Sequence, residues 1–331
     1  MRNASRNFGG GIKKNWRAHF AYCLLPAMYF IFIISCNRAP IMETDTPVSG
    51  SIKICVDESY RPFMSQEVDV FNGIYTDAHI SATYADEGTA VKNLLNDSVR
   101  LIVANRMLTD NELKILEQNG ITPRITKIAI DAVALIVNNE NTDSIMPLEI
   151  LRKIIRGDIG VWKQVSAKSF TDSIIVVFDH SGSSNARYIK EKFLGTSPFP
   201  RNVFAVKSNR DVIDYVAANK RALGLIGVNW LSETSDSSIN DFLTKVRVVS
   251  LPSADGAIME ITEFYKPYQA YIATKQYPLL RDVYIISRET NTGLGTGFAS
   301  FVASDSGQRI VRIAGLLPAI IPVRLIQLNK K

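Results

Sequence analysis

The sequence predicts an α/β protein with mostly parallel sheets, and three stretches carry that expectation. Residues 51–118 alternate strand and helix patterns three times, as chains that cover a parallel sheet with helices do. Lys127–Asn138, KIAIDAVALIVN, is the longest apolar strand-like run of the folded region, and its length suits a strand that leaves one domain and enters another. Residues 174–195 join a β-branched run to a helical pattern through a turn of small polar residues. The rest of the chain reads as organised around this last stretch.

In that stretch Ile174–Val177 reads as a buried strand that Phe178 continues. Asp179-His180-Ser181-Gly182-Ser183-Ser184-Asn185 forms the turn, and Ala186–Leu194 has helical spacing. Tyr188, Ile189 and Phe193 share the inner face of that helix. A strand feeding a helix in this way leaves backbone N–H donors pointing out of the helix start, which is a ready anion site. A plain Ser or Asn N-cap accounts for the same residues.

The other elements follow in order. Ser51–Val56 is a strand, Pro62 sits in the first turn of a helix running through Glu67–Phe71, and Ala78–Tyr84 alternates as a second strand. A helix over Ala90–Asn96 precedes the short buried strand Leu101–Ala104, and Thr109 caps a helix over Asp110–Gln118. Met146–Gly157 is helical, Asn202–Val206 is a short strand, Ser208 caps Asp211–Asn219, and Arg221–Val228 is a strand. Residues 232–240, SETSDSSIN, form a polar loop. Lys245–Leu251 is a strand, Pro267–Thr274 and Leu279–Ser287 are extended, and helices cover Gly293–Ser304 and Asp305–Ile313 up to Gly315.

The first residues stand apart from the fold. Arg2, Arg6, Lys13, Lys14 and Arg17 precede an apolar run at 18–35, and Ile33-Ile34-Ser35-Cys36 completes the look of a bacterial lipoprotein signal. A single membrane anchor is the competing reading, against which stand the run's shortness and Pro26. The expected division is a signal peptide at 1–35 and a tether at 36–49, with Cys36 carrying the lipid. Removing residues 1–35 takes five of the 38 basic residues and none of the 32 acidic ones, so the basic balance belongs to the signal. Nucleic-acid binding, which needs a basic stripe on the folded part, gains no support. Cys55, in an apolar strand, reads as a small buried hydrophobe.

Enzyme chemistry finds no foothold. His79 has no Cys, Asp or His at metal spacing, and no metal cluster or cofactor is expected. His180 beside Ser183 and Ser184 lacks a Gly-x-Ser-x-Gly context. Gly293-Leu294-Gly295-Thr296-Gly297 lacks the Lys of a phosphate loop and reads as a loop and helix start.

Several stretches together resemble one family. They are SIKICVDESYRP at the start, Arg106-Met107-Leu108-Thr109 before a helix with Glu112, KIAIDAVALIVNNEN at 127–141 and VVFDHSGSSNARYIKEKFL at 176–194. VFAVKSNRDVIDYVAANKRALGLIGVNW at 203–230, YPLLRDVYIISRE at 277–289 and FVASDSGQRIVRIAGLLPA at 301–319 complete the set. In order and spacing the chain resembles the type 2 periplasmic substrate-binding proteins of ABC transporters, in particular the phosphate-binding branch, and looks closest to the lipoprotein versions of Bacteroidetes-like bacteria.

The resemblance implies two α/β lobes joined by a two-strand hinge, with residues 50–137 and 251–331 in lobe 1 and 138–250 in lobe 2. It implies an inorganic phosphate or related oxyanion held in the cleft, and a permease with its ATPase as partners. By position the ligand loops are Glu58-Ser59-Tyr60, Asn105-Arg106 and Ser183-Ser184-Asn185, with Arg187 following and Arg106 supplying charge. The third loop departs from the family's Ser-Gly-Thr, since Ser184 stands for Gly and Asn185 for Thr. Asp57, Glu58 and Asp86 are the candidates for reading the proton of hydrogen phosphate. The other reading is an envelope lipoprotein with the same scaffold, acting as a non-transport interaction or sensing module with weak or no phosphate binding.

Overall fold

One long strand organises the sheet. The apolar run around Lys127–Asn138 extends backwards to give β4, Arg124–Asn138, in which every residue from Ala132 to Asn138 is buried. The computed structural model describes residues 45–166, 169–231, 244–253 and 263–320.

Upstream of β4 lie β1 (Gly50–Asp57), α1 (Arg61–Ile74), β2 (Ala78–Ala85), α2 (Glu87–Leu95), β3 (Leu101–Ala104) and α3 (Asp110–Gln118). Downstream come α4 (Leu148–Arg156), β5 (Ile175–Phe178), α5 (Ser184–Phe193), β6 (Val203–Ala205), α6 (Asn209–Ala218) and β7 (Ala222–Gly227). Then follow β8 (Val246–Val248), β9 (Leu251–Pro252), β10 (Phe264–Tyr265), α7 (Gln269–Ala273), β11 (Leu280–Ser287), α8 (Leu294–Val302), α9 (Asp305–Ile313) and β12 (Leu317–Pro318).

The strand order β2-β1-β3-β11-β4-β7-β5-β6 shows where the parallel expectation holds and where it gives way. β1 pairs in parallel with both β2 and β3, and β5 pairs in parallel with both β6 and β7. Between these wings the chain returns antiparallel: β11 runs against β3 and against β4. β4 also runs against β7 and β8. The sheet is mixed because a chain that crosses to a second lobe and comes back must run against itself in the middle. β4 divides its pairing: its residues up to Ala132 face β11, and those from Val133 onward face β7. This agrees with the two α/β lobes that the sequence resemblance implies.

The helices lie on the sheet by the apolar faces their spacing sets. α4 buries Leu151, Ile154 and Ile155 and ends at Gly157, whose φ of +83° is the left-handed stop that glycine adopts freely. α6 buries Val212, Ile213 and Val216 against Gly224 of β7, where a Cβ would lie 2.7 Å from Val216 Cγ2. Cys55 is free and wholly buried, as its strand context implies.

Two expectations change. Residues 269–273, expected to be extended, form α7, because Gln-Ala-Tyr-Ile-Ala favours helix and buries Ile272. The helix opened by Pro62 begins at Arg61 and runs to Ile74, with Phe63, Met64, Val68 and Phe71 on its inner face. The polar loop at 232–240, the signal at 1–35 and Cys36 lie outside the described residues. Among the described residues no helix is long and apolar enough to cross a membrane.

Candidate functional site

Three strand-to-helix turns from the two wings of the sheet meet at one place. β1 ends in Asp57, whose Oδ1 accepts from the Ser59 backbone N–H at 3.0 Å and shapes the single turn Glu58–Tyr60. Asp57, Ser59 and Tyr60 are all fully buried. β3 ends beside Asn105, whose backbone N–H donates to Glu87 Oε1 at 3.2 Å. β5 runs into Asp179, and Ser183 then caps α5: its Oγ accepts from the Ala186 N–H at 3.1 Å and donates to Asp179 Oδ1 at 2.6 Å.

These turns touch through their small polar side chains. Ser59 Oγ lies 3.2 Å from Ser184 Oγ, and Asn185 Nδ2 donates to Ser59 Oγ at 3.3 Å. Asn185 Nδ2 also reaches Asn209 Oδ1 at 3.0 Å. Asn209 opens α6, and its own Nδ2 bridges Glu58 Oε2 at 2.7 Å and Asp179 Oδ2 at 3.0 Å. The Ser59 carbonyl accepts from Asn229 Nδ2 at 2.8 Å and Trp230 Nε1 at 2.9 Å.

The cation at the centre is Arg281 of β11, whose side chain is 2% exposed. Its Nε donates to Asp131 Oδ2 at 2.8 Å, and its Nη1 donates to Ser184 Oγ at 3.3 Å. The guanidinium also lies 5.5 Å from the centre of the Tyr60 ring. Asp131, on β4, is fully buried and takes the Val228 N–H at 3.3 Å. Burial by itself would lower the Arg281 pKa, but Tyr60, Asp131 and Asp57 outweigh it and hold it above its ordinary value.

Three carboxylates near this cation are also raised, which in their case favours the neutral form. Burial, with the Glu87 charge behind it, pushes Asp57 up to about 7 against the pull of Ser184 and Arg281. Burial raises Glu58 despite its Asn209 hydrogen bond, and raises Asp179 despite Ser183. Asp57 Oδ2, Tyr60 Oη, Asn105 Nδ2, Asn185 Oδ1 and Asn229 Oδ1 are buried without a close hydrogen-bond partner among the described residues. Each such atom costs about 1–3 kcal/mol, so five of them rival the whole marginal stability of a domain. A small polar ligand that both accepts and donates would satisfy them.

The sequence-derived candidates therefore divide. Ser59, Ser184 and Asn185 come together, Tyr60 lies between Asn105 and Arg281, Glu58 lies at their edge, and Ser183 is committed to capping α5. Arg106 is not the central cation. Its Nη1 and Nη2 donate to Glu112 at 2.7 and 2.9 Å, because Thr109 caps α3 and its capping box turns the Glu112 carboxylate back towards residue 106. Arg187 is likewise engaged: its Nε donates to Glu87 Oε2 at 2.6 Å and its Nη1 to Glu191 Oε2 at 2.7 Å, and its Nη2 reaches Asn105 Oδ1.

Sequence reasoning missed Arg281 and Asp131. A signal for both existed. Arg281 shares the inward period of Val283 and Ile285, and Asp131 interrupts an otherwise apolar strand, so each is a charge on a face that has to be buried. Among the described residues no group of three or more His, Cys, Asp or Glu is placed to hold a metal. Outside the buried cluster a cleft of about 500 Å³ opens between the two wings, with Asp57, Asp179 and Ser183 lining its floor.

A family model described as PBP superfamily domain matches residues 42–306. The phosphate-binding protein PstS of Borreliella burgdorferi is 24% identical over 264 residues, covering 77% of this chain and 85% of that protein. PstS of Staphylococcus epidermidis is 25% identical over 269 residues, covering 79% and 77%. Among solved structures, a putative phosphate ABC transporter substrate-binding protein with bound phosphate from Clostridium perfringens superposes with a TM-score of 0.67 at 23% identity. That alignment covers 82% of this chain and 100% of the other. An ABC-type phosphate transport receptor from Vibrio cholerae gives 0.59 at 22% identity over 80% and 99%. At these identities the solved structures share the fold with this chain.

Proposed function

The chain belongs to the PBP superfamily, and from that premise we propose that it is a solute-binding protein which captures inorganic phosphate, or a similar oxyanion, for uptake by an ABC permease and its ATPase. It binds its solute and does not transform it. The observation that carries this reading is the cluster of Ser59, Ser184 and Asn185 beside the buried Arg281, which bonds Ser184, together with polar atoms that lack partners among the described residues. The relatives named for phosphate binding support the choice of anion.

In this reading the oxyanion takes its charge complement from Arg281. Ser59, Ser184 and the start of α5 supply directed donors. Asn105 Nδ2 and Tyr60 Oη, which neighbour each other, are further donors. Asp57 Oδ2 is a buried carboxylate oxygen with no partner among the described residues, and it is the group we assign to the proton of a protonated oxyanion. Closure of the lobes excludes water and strengthens each of these bonds. We place the lobes at residues 50–137 with 251–331 and at 138–250, the pairing of the two halves of β4 with different strands, β11 and β7, being the support. Arg106 and Arg187 then act as ion-pair partners of Glu112 and Glu87 at the rim.

We further propose an extracytoplasmic location in the cell envelope, with Cys36 lipidated after removal of residues 1–35, as in the lipoprotein versions of Bacteroidetes-like bacteria. A lipid on Cys36 would keep the protein near its permease.

One observation favours the second reading, a non-transport envelope module. Ser59 already bonds Ser184 and Asn185, the two residues that replace Gly and Thr in the third loop. Titration calorimetry of the folded protein with phosphate, sulfate, arsenate and molybdate separates the two. Micromolar phosphate binding that weakens in Ser59→Ala supports uptake. A folded protein that binds no oxyanion supports the module.

A further inference from the structure

One ion pair joins the two proposed lobes and is built so that it can break. Glu87 opens α2 in lobe 1, and Arg187 lies on α5 in lobe 2. Arg187 Nε donates to Glu87 Oε2 at 2.6 Å and its Nη2 to Oε1 at 3.3 Å, a two-pronged contact of guanidinium with carboxylate. The same Nη2 reaches Asn105 Oδ1, again in lobe 1. The Glu87 side chain is 3% exposed and that of Arg187 26%, so solvent screens the pair only in part.

Separating a buried ion pair ordinarily strands a charge. Here each member keeps a partner on its own side. Glu87 retains the Asn105 N–H at 3.2 Å and Arg106 Nε at 3.6 Å, both in lobe 1. Arg187 retains Glu191 Oε2 at 2.7 Å, one turn along its own helix. Arg281 and Asp131, by contrast, lie in the same lobe, so their pair does not part when the lobes do. Arg187 also stands one turn beyond Ser184 on α5. Drawing Arg187 onto Glu87 therefore draws the third loop onto Ser59.

We propose that Arg187 and Glu87 form a latch that holds the lobes shut over the anion site, Arg187 being a positioning residue for binding and not a ligand contact. This rests on the lobe placement and not on the identity of the anion.

Trp230 reports opening without a label. It lies in lobe 2, is 4% exposed, and its indole N–H donates to the Ser59 carbonyl of lobe 1 at 2.9 Å. Opening breaks that bond and wets the ring, which moves its fluorescence to longer wavelength. Trp162, whose indole bonds the Arg221 carbonyl within lobe 2, stays as it is. In the folded full chain without added anion, Arg187→Met should red-shift the emission. Glu87→Gln should do the same, since it leaves Arg106 and Arg187 facing each other with no carboxylate between them. The double variant should shift no further than the larger single one, and adding Trp230→Phe should abolish the shift. In calorimetry R187M should bind phosphate about three- to thirtyfold more weakly, because the closed fraction falls by that factor. Glu191→Gln should change neither emission nor affinity.

Parent-like emission in both single variants, with cooperative urea unfolding to show that they are folded, overturns the latch. A loss of phosphate affinity without that shift overturns it too and makes Arg187 a ligand contact. An equal shift in Glu191→Gln also overturns it, since Arg187 would then act through its own helix. Red-shifted variants of a folded chain that binds no phosphate support the latch and overturn the phosphate reading instead.

Discussion

Replacing Arg281 by Met separates what this residue does for the fold from what it does for the site. The guanidinium is 2% exposed and lies 2.7–2.8 Å from Asp131 Oδ2 through two nitrogens. Its removal leaves Asp131 fully buried, with the Val228 N–H at 3.3 Å as its remaining partner. Removing one member of a buried pair costs about 3–5 kcal/mol, because the other charge stays in a poor solvent for it. R281M should lower the unfolding free energy by that amount in urea titrations followed by circular dichroism. Adding Asp131→Asn removes the stranded charge and should recover most of the loss. Phosphate binding should not recover. Both variants lack the central cation, and truncating one partner of a buried charged contact costs about 2–5 kcal/mol. The dissociation constant measured by calorimetry should therefore rise roughly thirty- to several-thousand-fold in both. A double variant that binds phosphate like the parent chain would refute the placement of the anion on Arg281. A double variant no more stable than R281M would refute the ion-pair argument.

Three further outcomes are expected. Glu67 on α1 is fully buried, both carboxyl oxygens lack a partner among the described residues, and burial pushes its pKa from 4.5 up to about 9. The folded chain thus holds a proton that the unfolded chain releases above pH 4.5, so stability falls as pH rises through this window, by about 1.4 kcal/mol per unit. Between pH 5 and 8 the parent chain should lose about 4 kcal/mol more than Glu67→Gln in urea titrations, and parallel pH profiles would contradict this. Arg106→Ala should change phosphate affinity by less than about threefold, since its guanidinium is committed to Glu112; a hundredfold loss in calorimetry would return Arg106 to the site. Gly224→Ala puts a Cβ 2.7–2.9 Å from Val216, Val212 and Ile136. That overpacking should cost about 1–3 kcal/mol and lower the melting temperature by about 2–10 °C in a thermal scan.

The loops of the site were more legible than its chemistry. Ser59, Ser184 and Asn185 stand at turns between a strand pattern and a helix pattern, and such turns are visible from period and capping chemistry alone. Arg106 stands at such a turn too, and the structure pairs it with Glu112. A capping box four residues wide consumes the charge locally, and Thr109-x-x-Glu112 already announced it. The buried cation came instead from β11, and its partner came from β4, 150 residues earlier in the chain. Nothing in local pattern pairs two such positions.

By itself the sequence determined the α/β class, the parallel wings, the long crossing strand and the polar turns that become helix starts. These depend on interactions between near neighbours: side-chain period, β-branching and capping hydroxyls act over a few residues. Only the tertiary structure decided that β11 and β4 run antiparallel through the centre, that Arg281 meets Asp131 there, and that Arg106 and Arg187 are spent on Glu112 and Glu87. The physical reason is that a charge's role depends on what surrounds it once water is excluded, and those surroundings are assembled from segments far apart in the chain.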